Sequence, residues 1–61
     1  MVTIKISTAN EAFDSPGPEI ARILRTLAYR VEDGELLHGI REIKIQDVNG
    51  DTVGSFKYTN K

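Results

Sequence analysis

The chain has 61 residues, eight basic and nine acidic side chains, a net charge of −1 and no cysteine. That balance argues against a general nucleic-acid binder, whose affinity would come mainly from Lys and Arg neutralising phosphates. With 39% hydrophobic residues and neither a disulfide nor a thiolate metal site to help, one domain over 1–61 is expected to gain burial by forming a homodimer.

Val2, Ile4 and Ile6 alternate with Thr3, Lys5 and Ser7, the period of a half-buried strand. The stretch from Thr8 to Gly17 is polar and rich in turn formers, and its only large apolar group, Phe13, is expected to fold back over one end of the core. S-P-G-P-E then opens a helix. The spacing predicts Gly17 as N-cap, Pro18 as the first helical residue and Glu19 as a favourable charge at the positive helix end. Ile20, Ile23, Leu24, Leu27, Ala28 and Val31 recur at 3/4 spacing on one stripe centred near Leu24 and Val31, and Gly34 supplies a C-terminal stop.

In the connector Glu35–Gly39, Leu36 and Leu37 are adjacent, so one of them sits under the helix end or stays exposed. Ile43 and Ile45 then alternate with Glu42, Lys44 and Gln46, the turn D-V-N-G-D follows, and T-V-G-S-F-K-Y reads as the last strand. Asn-Gly between alternating runs signals a hairpin, with two registers open. A type I′ turn at Asn49-Gly50 pairs Ile43 with Phe56 and leaves Val53 on the polar face. A type I turn with a bulge at Gly50, favoured by Asp47, pairs Ile45 with Val53; a second bulge at Gly54 would then bring Val53 and Phe56 both to the core. Phe56 is expected inside in either case. The expected fold is α+β, of β-α-β-β order, with one helix on one face of a three-stranded sheet. Its opposite face carries Thr3, Lys5, Ser7, Glu42, Lys44, Gln46 and Lys57.

Candidate chemistry fails on spacing. His38 stands alone, short of the four ligands of a structural zinc site and without a nucleophile or orienting group, and reads as a solvated loop residue. Asp47, Asn49 and Asp51 alternate as calcium ligands do, but the sixth and twelfth positions hold Thr52 and Tyr58 where an EF-hand needs Gly and Glu; they read as turn residues. Neither glycine-rich phosphate motif is present, and Pro16, Pro18 and Glu19 make the helix start a poor anion site. No catalytic residue and no cofactor are expected. Opposite the apolar stripe lies Tyr29, flanked by Arg22, Arg25 and Thr26. Tyr and Arg are enriched at binding hot spots, and Arg25 and Tyr29 at i,i+4 can stack. This face is either a shielded surface or a contact patch for a protein partner.

The segments T-I-K-I-S-T-A-N-E-A-F, P-E-I-A-R-I-L-R-T-L-A-Y-R-V-E-D-G and D-V-N-G-D-T-V-G together resemble small, mostly uncharacterised proteins encoded in phages and prophages. The motifs of that group are structural, so the resemblance transfers no catalytic residue. It implies a protein that binds and blocks bacterial host machinery, including defence systems. No apolar leader at Met1–Ser7 and no run of about 18 apolar residues is seen, so the expected location is the host cytoplasm, with no membrane partner. A small nucleic-acid-associated regulatory protein is the alternative, using Lys5, Lys44 and Lys57 on the open sheet face.

Overall fold

A computed structural model of the chain describes residues 1–34, 36 and 41–59. Strand β1 (Val2–Ile6) leads through a single 3₁₀ turn (Glu11–Phe13) into helix α1 (Pro16–Glu32), and β2 (Glu42–Gln46) and β3 (Thr52–Tyr58) form the hairpin. The sheet order is β1-β3-β2, and both pairings are antiparallel. The α+β fold with one helix and a three-stranded sheet is therefore as the sequence predicts, with the last strand inserted between the first two. β1 and β2 are both edges.

The helix begins two residues earlier than the proline signals suggest, with Ser15 at the N-cap and no side-chain bond from it. Both prolines fit inside the first turn, because the first four amides of a helix have no intrahelical acceptor and a missing N–H there costs nothing. At the other end the Gly34 N–H bonds to the Val31 carbonyl at 3.2 Å, with φ at 92°, so Gly34 closes the helix as expected.

Phe13, Ile23, Leu27, Ile43, Ile45 and Phe56 form the buried core, with Ile6, Ile20, Val31, Leu36 and Val53 packed around it. Phe13 is the core plug that its isolation in a polar stretch suggests. Asn10 holds it there: its side chain accepts the Ala12 N–H and its carbonyl accepts the Phe13 N–H. Of the two adjacent leucines, Leu36 packs against the core; Leu37, His38 and Gly39 lie outside the described residues.

The hairpin settles between its two registers. The Gly50 N–H bonds to the Asp47 carbonyl at 3.0 Å, and among the described residues no non-glycine has positive φ. Type I′ geometry, which needs positive φ at Asn49, is thereby excluded. Gly50 itself has φ 87°, so the turn is type I with a bulge at glycine. The register then shifts: Gln46 faces Thr52, Ile45 faces Gly54 and Ile43 faces Phe56. Val53 is the extra residue, so the expected Ile45–Val53 pair does not form and the second bulge falls at Val53 rather than at Gly54. Val53 packs against the core, and Phe56 is buried.

One expectation about the helix needs correction. The apolar stripe is centred near Leu24 and Val31 by sequence, yet the buried positions are Glu19, Ile23 and Leu27, while Leu24 is 46% exposed and Ala28 is exposed. The helix is rolled so that its Ile23–Leu27 line meets the core. The flank on the β1 side is left uncovered.

Candidate functional site

The helix carries the predicted contact patch, and its packing divides that patch in two. Tyr29 is 73% exposed and borders one shallow hollow together with Arg25, Ala28 and Glu32. Arg25 and Tyr29 therefore do share a surface, as their i,i+4 spacing predicts. Arg22 and Thr26 face the other way. With Arg30, Lys44, Gln46 and Asp47 they border a second hollow, of about 150 Å³, between the helix and the β2 edge.

Arg22 is committed to structure. Its Nε donates to Glu19 Oε1 at 2.8 Å, and its Nη2 donates to Glu19 Oε2 at 3.0 Å and to the Gln46 carbonyl at 3.2 Å. Glu19 is 8% exposed and also accepts the Val48 N–H at 2.9 Å. Arg22 thus fixes the helix start against the hairpin, and the exposed patch reduces to Tyr29 and Arg25. The bidentate guanidinium holds the Glu19 carboxyl below the usual carboxylate range, against an opposing push from burial; the Val48 N–H adds to the lowering and Asp47 works against it. Glu19 in turn raises the Arg22 guanidinium further.

Asp47 completes the same cluster. Its Oδ1 accepts the N–H groups of Asn49 and Asp51, both at 2.9 Å, and its Oδ2 accepts Asn10 Nδ2 at 2.8 Å. It is 4% exposed. Burial pushes its carboxyl up, but these bonds, led by that from Asp51, outweigh it and hold the group below its ordinary value. Asp47 is therefore a turn residue, as the failed calcium spacing suggests. Its oxygens knit the hairpin tip to the Asn10 turn. Among the described residues no buried side-chain nitrogen or oxygen lacks a partner, and no three potential metal ligands come together.

This clasp of Asn10, Glu19, Arg22 and Asp47 escapes sequence reasoning in part. The Glu19/Arg22 pair at i,i+3 is visible in the sequence. Its attachment to Val48 is not, because a backbone N–H carries no side-chain signature.

The open sheet face is polar as expected. Lys57 reaches Glu42 at 3.4 Å across the β2–β3 ladder, so that lysine is partly neutralised. Lys5 and Lys44 both lie opposite Ser55 in the register. His38 lies outside the described residues.

On the helix side of β1 a third surface opens. Ile4, Leu24, Leu27, Ala28, Val31 and Phe56 border a mainly apolar groove of about 380 Å³, and Ile4 remains 42% and Val2 52% exposed. Among the described residues no helix is long and apolar enough to cross a membrane. Compared with known proteins, the chain matches no family model, no curated protein and no solved structure.

Proposed function

We propose that this chain is a non-enzymatic interaction protein that binds a bacterial host protein and modulates or inhibits it, and that it acts as a homodimer. The observation that carries the reading is Tyr29, 73% exposed on the helix beside Arg25. An aromatic ring that the fold leaves in water and flanks with a guanidinium is the kind of anchor that dominates binding energy. The buried carboxylates support the same reading, because Glu19 and Asp47, with the half-buried Arg22, are spent on holding helix and hairpin together. The resemblance to phage-encoded proteins supplies the setting: a target in the bacterial cytoplasm, with host defence proteins among the candidates.

The test is capture of bacterial proteins on the tagged chain and on its Tyr29→Ala and Arg25→Ala variants. Each hot-spot truncation should weaken retention of the target by about 30-fold, with the circular dichroism unchanged. Retention of the same proteins by both variants would remove the helix patch from consideration. A nucleic-acid role is the second reading, favoured by the common face of Lys5, Lys44 and Lys57; it requires a gel shift at low salt that fades as salt rises.

A further inference from the structure

We infer that the β1 edge is where two copies of this chain join, pairing β1 antiparallel to β1 about a twofold axis at Ile4. The inference rests on the interaction-protein reading and names the surface of its homodimer.

The backbone supplies the first argument. Met1 and Thr59 exchange both hydrogen bonds, at 2.6 and 2.9 Å, and Ser7 N–H bonds to the Val53 carbonyl at 2.7 Å. Antiparallel ladders alternate, so Thr3 and Lys5 also turn their backbone groups toward β3. The N–H and C=O groups of Val2, Ile4 and Ile6 then point outward. A twofold axis at Ile4 sets these residues against each other, Ile4 to Ile4 and Val2 to Ile6, and all three pairs become hydrogen-bonded.

Charge fixes the same register. Centred on Ile4, each Lys5 meets Thr3 of the second copy. Moving the axis one residue onward puts Lys5 against Lys5, and moving it one residue back leaves only two hydrogen-bonded pairs. The edge is self-complementary in one arrangement.

Apolar surface supplies the third argument. Val2, Ile4 and Leu24 are the exposed apolar groups on this side, and the groove between β1 and the helix adjoins them. A twofold axis normal to the sheet keeps both helices on one face, so the two grooves lie side by side over the joined strands. A standard interface takes about 800 Å² from each partner, under a fifth of this chain's 4446 Å².

The other edge is defended. Tyr58 N–H bonds to the Arg41 carbonyl and Asp47 N–H to the Asp51 carbonyl, so on β2 it is Glu42, Lys44 and Gln46 that face outward. Self-pairing there centres on Lys44 against Lys44, and the Gln46 carbonyl is already capped by Arg22. Charged and capped edges resist pairing. Among the described residues the outward backbone groups of β1 carry no such cap, and its one charge, Lys5, meets Thr3 rather than itself in the Ile4-centred pairing.

Sedimentation velocity of the full chain, run without any target up to millimolar concentration, tests the proposal. A concentration-dependent dimer is expected, with slowed amide exchange at Val2, Ile4 and Ile6 as it forms. Ile4→Pro removes an outward donor and leaves the β1–β3 ladder bonds in place, at the loss of some Ile4 side-chain packing in the groove, and should give a folded monomer. In case that variant fails to fold, Thr3 provides a second test on the solvent face. Thr3→Glu places two new opposite-charge pairs with Lys5 across the seam and should tighten the dimer by roughly tenfold, and Thr3→Lys should loosen it by a similar factor. A monomeric wild type overturns the proposal, as does a dimer indifferent to both Thr3 variants or a dimer that survives in folded Ile4→Pro. A monomer that still captures its target through Tyr29 would leave the interaction reading standing; a β1-paired dimer that captures nothing would do the reverse.

Discussion

Glu19, in the first turn of the helix, accepts the backbone N–H of Val48 at the tip of the hairpin at 2.9 Å. The two residues are 29 positions apart, and this bond ties the second half of the chain to the start of the helix. Arg22 occupies both carboxylate oxygens of Glu19 from the side. Glu19→Ala removes the acceptor of the Val48 N–H and both acceptors of the Arg22 guanidinium at once, and bonds to a charged group are worth more than neutral ones. The urea midpoint should fall clearly in Glu19→Ala and less in Glu19→Gln, whose amide oxygen keeps one acceptor. Arg22→Ala should cost less when Glu19 is already alanine, since the two form one network. Additive losses would show that the clasp does not act as a unit.

Acid should weaken the fold through the same cluster. Glu19 and Asp47 both have folded pKa values below their ordinary ones, so the native chain binds protons there less readily than the unfolded chain. Their contribution is complete above about pH 5, beyond the unfolded carboxylate range, and is lost as pH falls through the lowered folded values. Thermal midpoints measured from pH 7 to pH 2 should hold level at first and then drop. In Glu19→Gln the drop should be shallower, because Asp47 is then the one carboxyl of the cluster still held below its ordinary value.

The elements themselves were legible in the sequence, since alternation at Val2–Ile6 and 3/4 spacing from Ile20 to Val31 each admit one reading. The turn type was legible to within two alternatives, and Asn49 decided between them by keeping negative φ; the ladder beyond the turn combines the two registers, because the bulge at Val53 returns Ile43 to Phe56. What periodicity does not reveal is how much of an apolar stripe the rest of the fold can cover. Leu24 belongs to the stripe as fully as Ile23, yet it is left half in water, because the roll of the helix depends on where the strands lie beneath it. Strand order, with β3 between β1 and β2, is a long-range property that neither strand's residues encode alone. The same limit hid the clasp: Arg22 reads as part of a surface patch until its partners across the fold are placed.

Ile23 and Leu24 make that distinction measurable. Ile23 is 2% exposed, so Ile23→Ala should lose about 2–5 kcal/mol, a large share of the roughly 3–9 kcal/mol a chain of this length can have. Leu24→Ala should lose only about 1 kcal/mol in the dilute monomer, because nearly half of the side chain is already hydrated. Denaturant titrations of both variants at low concentration check the ranking; equal losses would place Leu24 in the core.

Gly54 and Gly50 should respond to alanine for different reasons. A Cβ on Gly54 would lie inside the van der Waals envelope of the Lys5 carbonyl oxygen and 2.8 Å from its carbon. Both are backbone atoms of β1, so no side-chain rotation relieves the clash and the strand must move. Gly54→Ala should cost about 3 kcal/mol or more, the upper end of overpacking, and should loosen β1 from β3 while the β2–β3 hairpin persists. Gly50 has open space around it but φ at 87°, so Gly50→Ala pays only the left-handed backbone penalty, about 1–2 kcal/mol. Amide exchange separates the two cases. In Gly54→Ala the Lys5 and Ser7 amides should lose protection while the Tyr58 amide, bonded to Arg41, keeps it. In Gly50→Ala protection should fall evenly across all three strands, because a strained turn lowers global stability without detaching any one strand. Retained protection at Lys5 and Ser7 in Gly54→Ala would mean that β1 tolerates a side chain at this crossing.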